Sequence, residues 1–213
     1  MSKITLYGRR GWGSAIVEAQ LEWLGHDYTY EAVGDLLRSA EARSSLAPVN
    51  PLAQVPTLVL PNGQILTESA AITLYLADMT GREELVPPLG SVERPDFLRW
   101  LIFLVANVYP TYTYADEPDR FVPDAAARDG FRATVDAYAQ RLYGILDVAA
   151  RTPWFLAKRF SALDIYVAVM TRWRPGRQWF AENAPQLYSI ATRVDAIPEL
   201  QAVWSCNFPE AGS

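Results

Sequence analysis

Tyr7-Gly8-Arg9-Arg10-Gly11-Trp12-Gly13-Ser14 joins a β-prone run to a helical pattern and holds two hydroxyls but no cysteine, histidine or acid. A hydroxyl at a helix start, beside the unpaired N–H groups of the first turn, can steady an anion. A second such corner is Glu68-Ser69, at the head of Ala70-Ala71-Ile72-Thr73-Leu74-Tyr75. There the free N–H groups suit a carboxylate and Glu68 suits an ammonium, so the pair fits the zwitterionic end of an α-amino acid; simple capping is the plainer reading. The third feature is Val55-Pro56. It reads either as an edge-strand proline or as a cis peptide that turns the Val55 backbone outward to pair with an extended peptide ligand.

These residues need elements to hold them. Ile4-Thr5-Leu6-Tyr7 reads as a strand ended by Gly8, and Ile16, Val17, Leu21, Trp23 and Leu24 recur at helical spacing until Gly25, with Ser14 where an N-cap belongs. Residues 27–33 alternate as a second strand, and 35–47 form a weaker helix. Thr57–Leu60 and Gln64–Leu66 read as strands of a hairpin turned by Pro61-Asn62-Gly63, and a helix opens at Glu68 or Ser69. The order β-α-β-α-β-β-α describes a small α/β layer over residues 1–78. Residues 79–91 carry Pro87-Pro88, Gly81, Gly90 and several charges, and are read as a linker. Over 92–213 only helical patterns follow, at 92–114, 124–150 and 161–173, with shorter helices after Pro175 and near 185–206.

The composition excludes several chemistries. The net charge of −5 disfavours a nucleic-acid groove or an anionic membrane surface, and no apolar run reaches the roughly 20 residues of a bilayer span. One cysteine, Cys206, and one histidine, His26, leave no disulfide, no CxxC pair and no zinc cluster. The chain enters its first strand without an apolar stretch of signal-peptide length, so a soluble, cytoplasmic protein is the expectation.

Phe160-Ser161-Ala162-Leu163-Asp164-Ile165 is a capping box with a hydrophobic staple: Ser161 caps, Asp164 reaches back, and Phe160 packs on Ile165. It is structural. His26 belongs to a surface turn, and Cys206 to packing in the C-terminal aromatic segment. Asn107, Tyr109, Tyr112 and Tyr114, with Trp173 beside Arg172 and Arg174, make polar-aromatic surroundings that suit core packing or a ligand wall.

In this order, Ile4–Gly8 with the helix ending at Gly25, Asn50-Pro51-Leu52-Ala53-Gln54-Val55-Pro56-Thr57, Glu68-Ser69-Ala70-Ala71-Ile72-Thr73-Leu74-Tyr75-Leu76 and the Phe160–Ile165 box resemble the cytosolic glutathione transferases over nearly the whole chain. The resemblance implies an α/β N-terminal thioredoxin-like domain that binds glutathione as co-substrate, an all-α C-terminal domain that lines the acceptor pocket, and a homodimer. It also implies conjugation of glutathione to small apolar electrophiles, with peroxide reduction as a further activity. The alternative is a non-catalytic module of the same fold. By the same resemblance Val55, before a cis Pro56, pairs with the cysteinyl part of glutathione. Glu68 and Ser69 hold the γ-glutamyl end, Gln54 lies beside the glycyl end, and Arg38 or Arg43 meets the glycyl carboxylate. Trp12, Asn107, Tyr112 and Trp173 are the expected acceptor-site residues.

Such an enzyme must lower the thiol pKa of glutathione from about 8.5, and two units require about 2.7 kcal/mol. Family members use a tyrosine at the end of the first strand, or a serine or cysteine at the first helix. Tyr7 and Ser14 are the candidates here, Ser14 preferred because its hydroxyl and the helix N–H groups converge. Gly11, Trp12 and Gly13 stand where other classes place their serine or cysteine, which removes the thiol-transferase subclass.

Overall fold

Alternation in Ile4-Thr5-Leu6-Tyr7-Gly8 buries Ile4, Leu6 and Gly8 on one side of the first strand, β1 (Ile4–Gly8). The computed structural model describes residues 3–209. β1 runs parallel to β2 (Tyr28–Ala32), with Leu6 opposite Tyr30 and Tyr7 opposite Glu31. It runs antiparallel to β3 (Thr57–Val59), with Tyr7 opposite Thr57. β3 pairs antiparallel with β4 (Ile65–Leu66), giving the sheet order β2-β1-β3-β4. The hairpin lies where Pro61-Asn62-Gly63 calls for it, the Leu60 N–H donating to the Gln64 carbonyl at 2.8 Å.

Helix α1 (Ser14–Trp23) makes the crossover between β1 and β2, and every residue from Ser14 to Leu21 is buried. α2 is shorter than the periodicity predicts, Ala40–Leu46. The cause is Asp35, whose Oδ1 accepts the Leu37 and Arg38 N–H groups at 3.0 and 3.1 Å and closes a turn instead of a helix. Ser39 then caps α2 by accepting the Ala42 N–H at 3.0 Å. α3 (Ser69–Thr80) packs on α1 and ends at Gly81 in the left-handed region.

The helical stretch predicted over 92–114 is interrupted. α4 (Arg94–Phe103) passes through a wide π turn at Leu104–Val108 into α5 (Tyr109–Asp116). The Tyr109 N–H reaches back five residues to the Leu104 carbonyl, just before Pro110, which has no N–H to offer an α-helical ladder. α6 (Arg128–Ala149), α7 (Ala162–Met170), α8 (Arg177–Asn183), α9 (Pro185–Asp195) and α10 (Gln201–Asn207) follow. α7 is buried along its whole length. Among the described residues, no helix is long and apolar enough to cross a membrane.

The described residues divide into two compact units: those up to Val86 together with those from Arg193 onward, and Pro87–Thr192. The C-terminal segment is therefore grouped with the sheet-containing unit, whereas the helical patterns alone assign all of 92–213 to one helical domain. Its apolar side chains Val203 and Trp204 are buried and α10 packs on α1. Cys206, expected in packing, is exposed and unpaired.

Candidate functional site

The glycine-rich bend is tied down residue by residue. Ser14 is the first residue of α1, and the N-cap is Gly13 rather than Ser14. Instead of capping the helix, the Ser14 side chain closes the bend on itself. Its Oγ accepts the Arg9 N–H and donates to the Arg9 carbonyl, both at 3.0 Å. Ser14 is 0% exposed, its hydroxyl directed at that carbonyl and beside the Tyr30 hydroxyl. Arg9 pairs with Asp35 at 3.2 Å, and its guanidinium lies 5.2 Å from the centre of the Trp12 ring. Arg10 donates to Glu18 at 2.5 and 2.6 Å while lying 3.9 Å over the Tyr30 ring.

Gly8 sits beneath this bend on the Leu6 face of β1, against Ser14 and the Tyr30 hydroxyl. Strand alternation puts Tyr7 on the other face. There Tyr7 is half-buried and lines an open pocket with Glu31, Ser39, Ala42 and Leu46. The two candidate hydroxyls thus stand on opposite faces of the sheet, an arrangement that linear spacing does not reveal.

The Asn50–Thr57 segment is also locked. Buried Asn50 donates to the Gln54 carbonyl and to Thr57 Oγ1, both at 3.0 Å, and accepts the Leu52 N–H at 3.1 Å. Thr57 Oγ1 donates to the same Gln54 carbonyl at 2.8 Å. Within this frame Ala53 adopts φ 48°, and the Val55–Pro56 bond is cis. Gln54 is exposed and Val55 half-buried.

Glu68, like Ala53, is a non-glycine residue with a positive φ. It adopts φ 63° and ψ 105°, is exposed, and makes no side-chain cap to the helix it precedes. A non-glycine residue held there costs about 1–3 kcal/mol and persists only where its surroundings enforce it; such positions gather at binding sites. Ser69 follows as the first residue of α3, 8% exposed. Because β3 begins just after Pro56 and pairs antiparallel with β4, which ends just before Thr67-Glu68, Val55 and Glu68 lie at one end of the sheet. Tyr7 opposite Thr57 brings the end of β1, and with it the start of α1, to that same end.

In the second unit, Tyr112 and Trp173 pack edge-to-face at 5.0 Å, and Tyr109 meets Trp173 at 5.6 Å. The Tyr112 hydroxyl donates to the Arg174 carbonyl at 3.0 Å, so the Tyr143 hydroxyl, 2.5 Å away, donates to Tyr112. Burial raises both phenols above the ordinary tyrosine pKa, so both stay protonated at neutral pH. Arg174 bridges Asp116 and Asp136. Asn107 lies on the wide turn. Trp12 belongs to the first unit.

Several positioning residues emerge only from the fold: Asp35, Glu18, Asn207 and the roles of Asn50 and Thr57. Asn50 and Thr57 bracket the quoted motif and are legible as part of it; Glu18 and Asn207, 189 positions apart, carry no local signal. Of the two basic candidates for a carboxylate, Arg43 is engaged by the Leu36 and Leu37 carbonyls at 2.8 and 3.1 Å, whereas Arg38 is exposed.

Comparison with known proteins bears on the family and the fold. Residues 14–79 match the family model for the glutathione S-transferase N-terminal domain. An uncharacterized GST-like protein of Escherichia coli K12, YncG, is 40% identical over 205 residues, spanning 96% of this chain and 98% of the relative. Glutathione S-transferase GstA of Escherichia coli O157:H7 is 27% identical over 184 residues, 86% of this chain and 88% of its own. Among solved structures, a sphingomonad glutathione S-transferase complexed with glutathione is 28% identical with a TM-score of 0.77, covering 95% of this chain and 98% of that one. The Methylococcus capsulatus glutathione transferase is 26% identical, also at TM-score 0.77, covering 96% and 98%. With a near-full-length relative at this identity and the same fold throughout, the chain belongs to the glutathione transferase family.

Proposed function

We propose that the protein is a glutathione S-transferase that conjugates glutathione to small apolar electrophiles. Glutathione lies along the Val55 backbone, its γ-glutamyl ammonium meets Glu68, its α-carboxylate meets Ser69 and the start of α3, and sulfur faces the start of α1. Gln54 and Arg38 lie toward the glycyl end. The observation that carries this reading is the exposed Glu68 carboxylate on a left-handed backbone, beside buried Ser69 and at the same sheet end as Val55. The family's glutathione-bound members support the ligand. In the reaction the thiol loses its proton to solvent, the thiolate attacks the electrophilic carbon, and a halide or equivalent leaving group departs. The same thiolate can attack a peroxide oxygen, breaking the O–O bond to release an alcohol and leave a glutathione sulfenic acid, which a second glutathione converts to the disulfide and water; this extends the proposal to peroxide reduction. Trp12, Asn107, Tyr112 and Trp173 are the proposed acceptor-site residues, and a cytoplasmic homodimer is the proposed working form.

The buried, hydrogen-bonded hydroxyl of Ser14 alters the part given to that residue. With its hydroxyl directed at the Arg9 carbonyl, Ser14 supports the thiolate by shaping the bend, and the first-turn N–H groups of α1 supply the field. Ser14→Ala is therefore expected to cost about 1–2 kcal/mol of stability through the two lost bonds to Arg9, and to raise the pKa of the bound thiol. Tyr7→Phe leaves that pKa unchanged; urea denaturation and thiolate ultraviolet absorbance against pH check both statements. A second reading, a ligand-binding module without turnover, draws on the same burial of Ser14. It wins if glutathione binds while neither thiolate absorbance nor conjugation of a chloronitroaromatic appears.

Glu68 gives a direct test. Glu68→Gly removes the proposed ammonium partner and relieves the left-handed backbone, so stability is expected to rise by about 1 kcal/mol while glutathione affinity falls about tenfold or more. Isothermal titration beside thermal unfolding reads both. An unchanged affinity removes Glu68 from the site; an absence of glutathione binding by the parent protein at millimolar concentration removes the function.

A further inference from the structure

Three consecutive residues of the bend, Arg9, Arg10 and Gly11, are each held by a different tether, and the tether on Gly11 comes from the far end of the chain. The Gly11 N–H donates to Asn207 Oδ1 at 3.2 Å. Asn207 Nδ2 donates to Glu18 Oε2 at 2.8 Å and to the Val203 carbonyl at 3.0 Å. Glu18, in α1, takes both short bonds from Arg10. Arg10, Glu18, Asn207 and Gly11 therefore close a ring of contacts, with adjacent residues of the bend at its two ends. Asn207 is 5% and Glu18 4% exposed, so the bond between them is shielded from water.

Apart from this ring, α10 buries Val203 and Trp204. What the ring adds is directed at the backbone of the bend. Gly11 adopts φ +77°, and a Cβ there would come within 3.3 Å of the Asn207 carbonyl oxygen, so bend and C-terminal helix are fitted closely to one another. We propose that Asn207 is a positioning residue for the reactive thiol: by fixing Gly11 it sets the direction in which the start of α1 is presented to sulfur. This rests on the glutathione reading given above. It makes the C-terminal segment part of the thiol-activating apparatus.

The test uses the full chain, with Asn207→Ala and with the paired exchange Glu18→Gln and Asn207→Asp, which keeps an acceptor for Gly11 and a donor–acceptor contact across the ring while giving up the bond to the Val203 carbonyl. In Asn207→Ala, thiolate absorbance against pH is expected to show the bound-thiol pKa about one unit higher, with turnover at neutral pH about tenfold lower and recovered at alkaline pH. Glutathione affinity changes by less than about threefold, since Glu68 and Val55 are untouched. The paired exchange is expected to return the pH profile toward that of the parent. A profile unchanged in Asn207→Ala, whatever its melting temperature, overturns the proposal. So does loss of the folded circular-dichroism signal in both variants, which makes Asn207 a folding residue only. If the parent protein itself binds no glutathione or forms no bound thiolate, the glutathione reading fails and this inference falls with it, a result distinguishable from the other two.

Discussion

Gly8→Ala is expected to destabilise the protein by about 2–3 kcal/mol, a large effect for one methyl group at the end of a strand. A Cβ at this position would lie 2.8 Å from Ser14 Cβ, 2.8 Å from Ser14 Oγ and 2.8 Å from the Tyr30 hydroxyl. The Tyr30 hydroxyl is the tip of a side chain and can give way, although the Arg10 guanidinium lies over its ring. Ser14 cannot: its Cβ is rooted in the first turn of α1 and its hydroxyl is held from both sides by Arg9. Relief therefore has to come from moving the helix start away from β1, which also displaces the bend. Glutathione affinity is expected to fall at least about tenfold with the stability. Urea denaturation and isothermal titration measure the two effects; a loss of stability within about 0.5 kcal/mol would show that the contact is slack and that α1 is free to shift.

The second large effect belongs to Asp164. Its Oδ1 accepts the Phe155 N–H at 2.7 Å, and its Oδ2 accepts the Ser161 N–H at 2.7 Å and the Ser161 hydroxyl at 3.1 Å. The residue is 0% exposed. Asp164→Ala leaves three buried donors without their acceptor, and at about 1–3 kcal/mol each the expected loss is at least about 3 kcal/mol. The group also makes stability depend on pH. Burial pushes its pKa from 3.8 up to about 7, outweighing the bonds from Phe155 and Ser161, which act the other way. An acid whose pKa is higher in the folded state contributes fully below the unfolded value, and the contribution is lost as pH rises through the folded one. Stability is therefore expected to fall between about pH 4 and 7, by up to about 1.4 kcal/mol per pH unit, and to level off above. Asp164→Asn is less stable throughout, because its NH₂ faces donors, but flat across that window. Urea midpoints at pH 5 and pH 8 decide: an equal gap between parent and Asp164→Asn at both values refutes the titration.

These two positions also show how far residues can be read in one dimension. The Ser161–Asp164 capping box was legible because both partners sit within one turn of helix, where spacing dictates contact. The Phe155 N–H that adds a third donor to Asp164 comes from an irregular segment nine residues upstream, and no periodicity announces it. Phe160, expected to staple onto Ile165, has its ring 5.2 Å from Trp154 in an edge-to-face arrangement.

At the sheet end the same division holds. Alternation, helical spacing and turn residues determined by themselves the four strands, the crossover helix and the Pro61-Asn62-Gly63 hairpin, since each depends on neighbours within a few positions, whereas Val55, Pro56, Glu68 and Ser69 are joined as a group only by the family resemblance. Only the folded chain decided that Tyr7 and Ser14 face opposite sides of the sheet, that the Ser14 hydroxyl is directed at Arg9, and that α10 returns to grip Gly11 through Asn207. The reason is physical. Local pattern records which face of an element is apolar, whereas the partner of a buried polar atom is chosen by whichever donor or acceptor packing brings within about 3 Å, and that neighbour can come from anywhere along the chain.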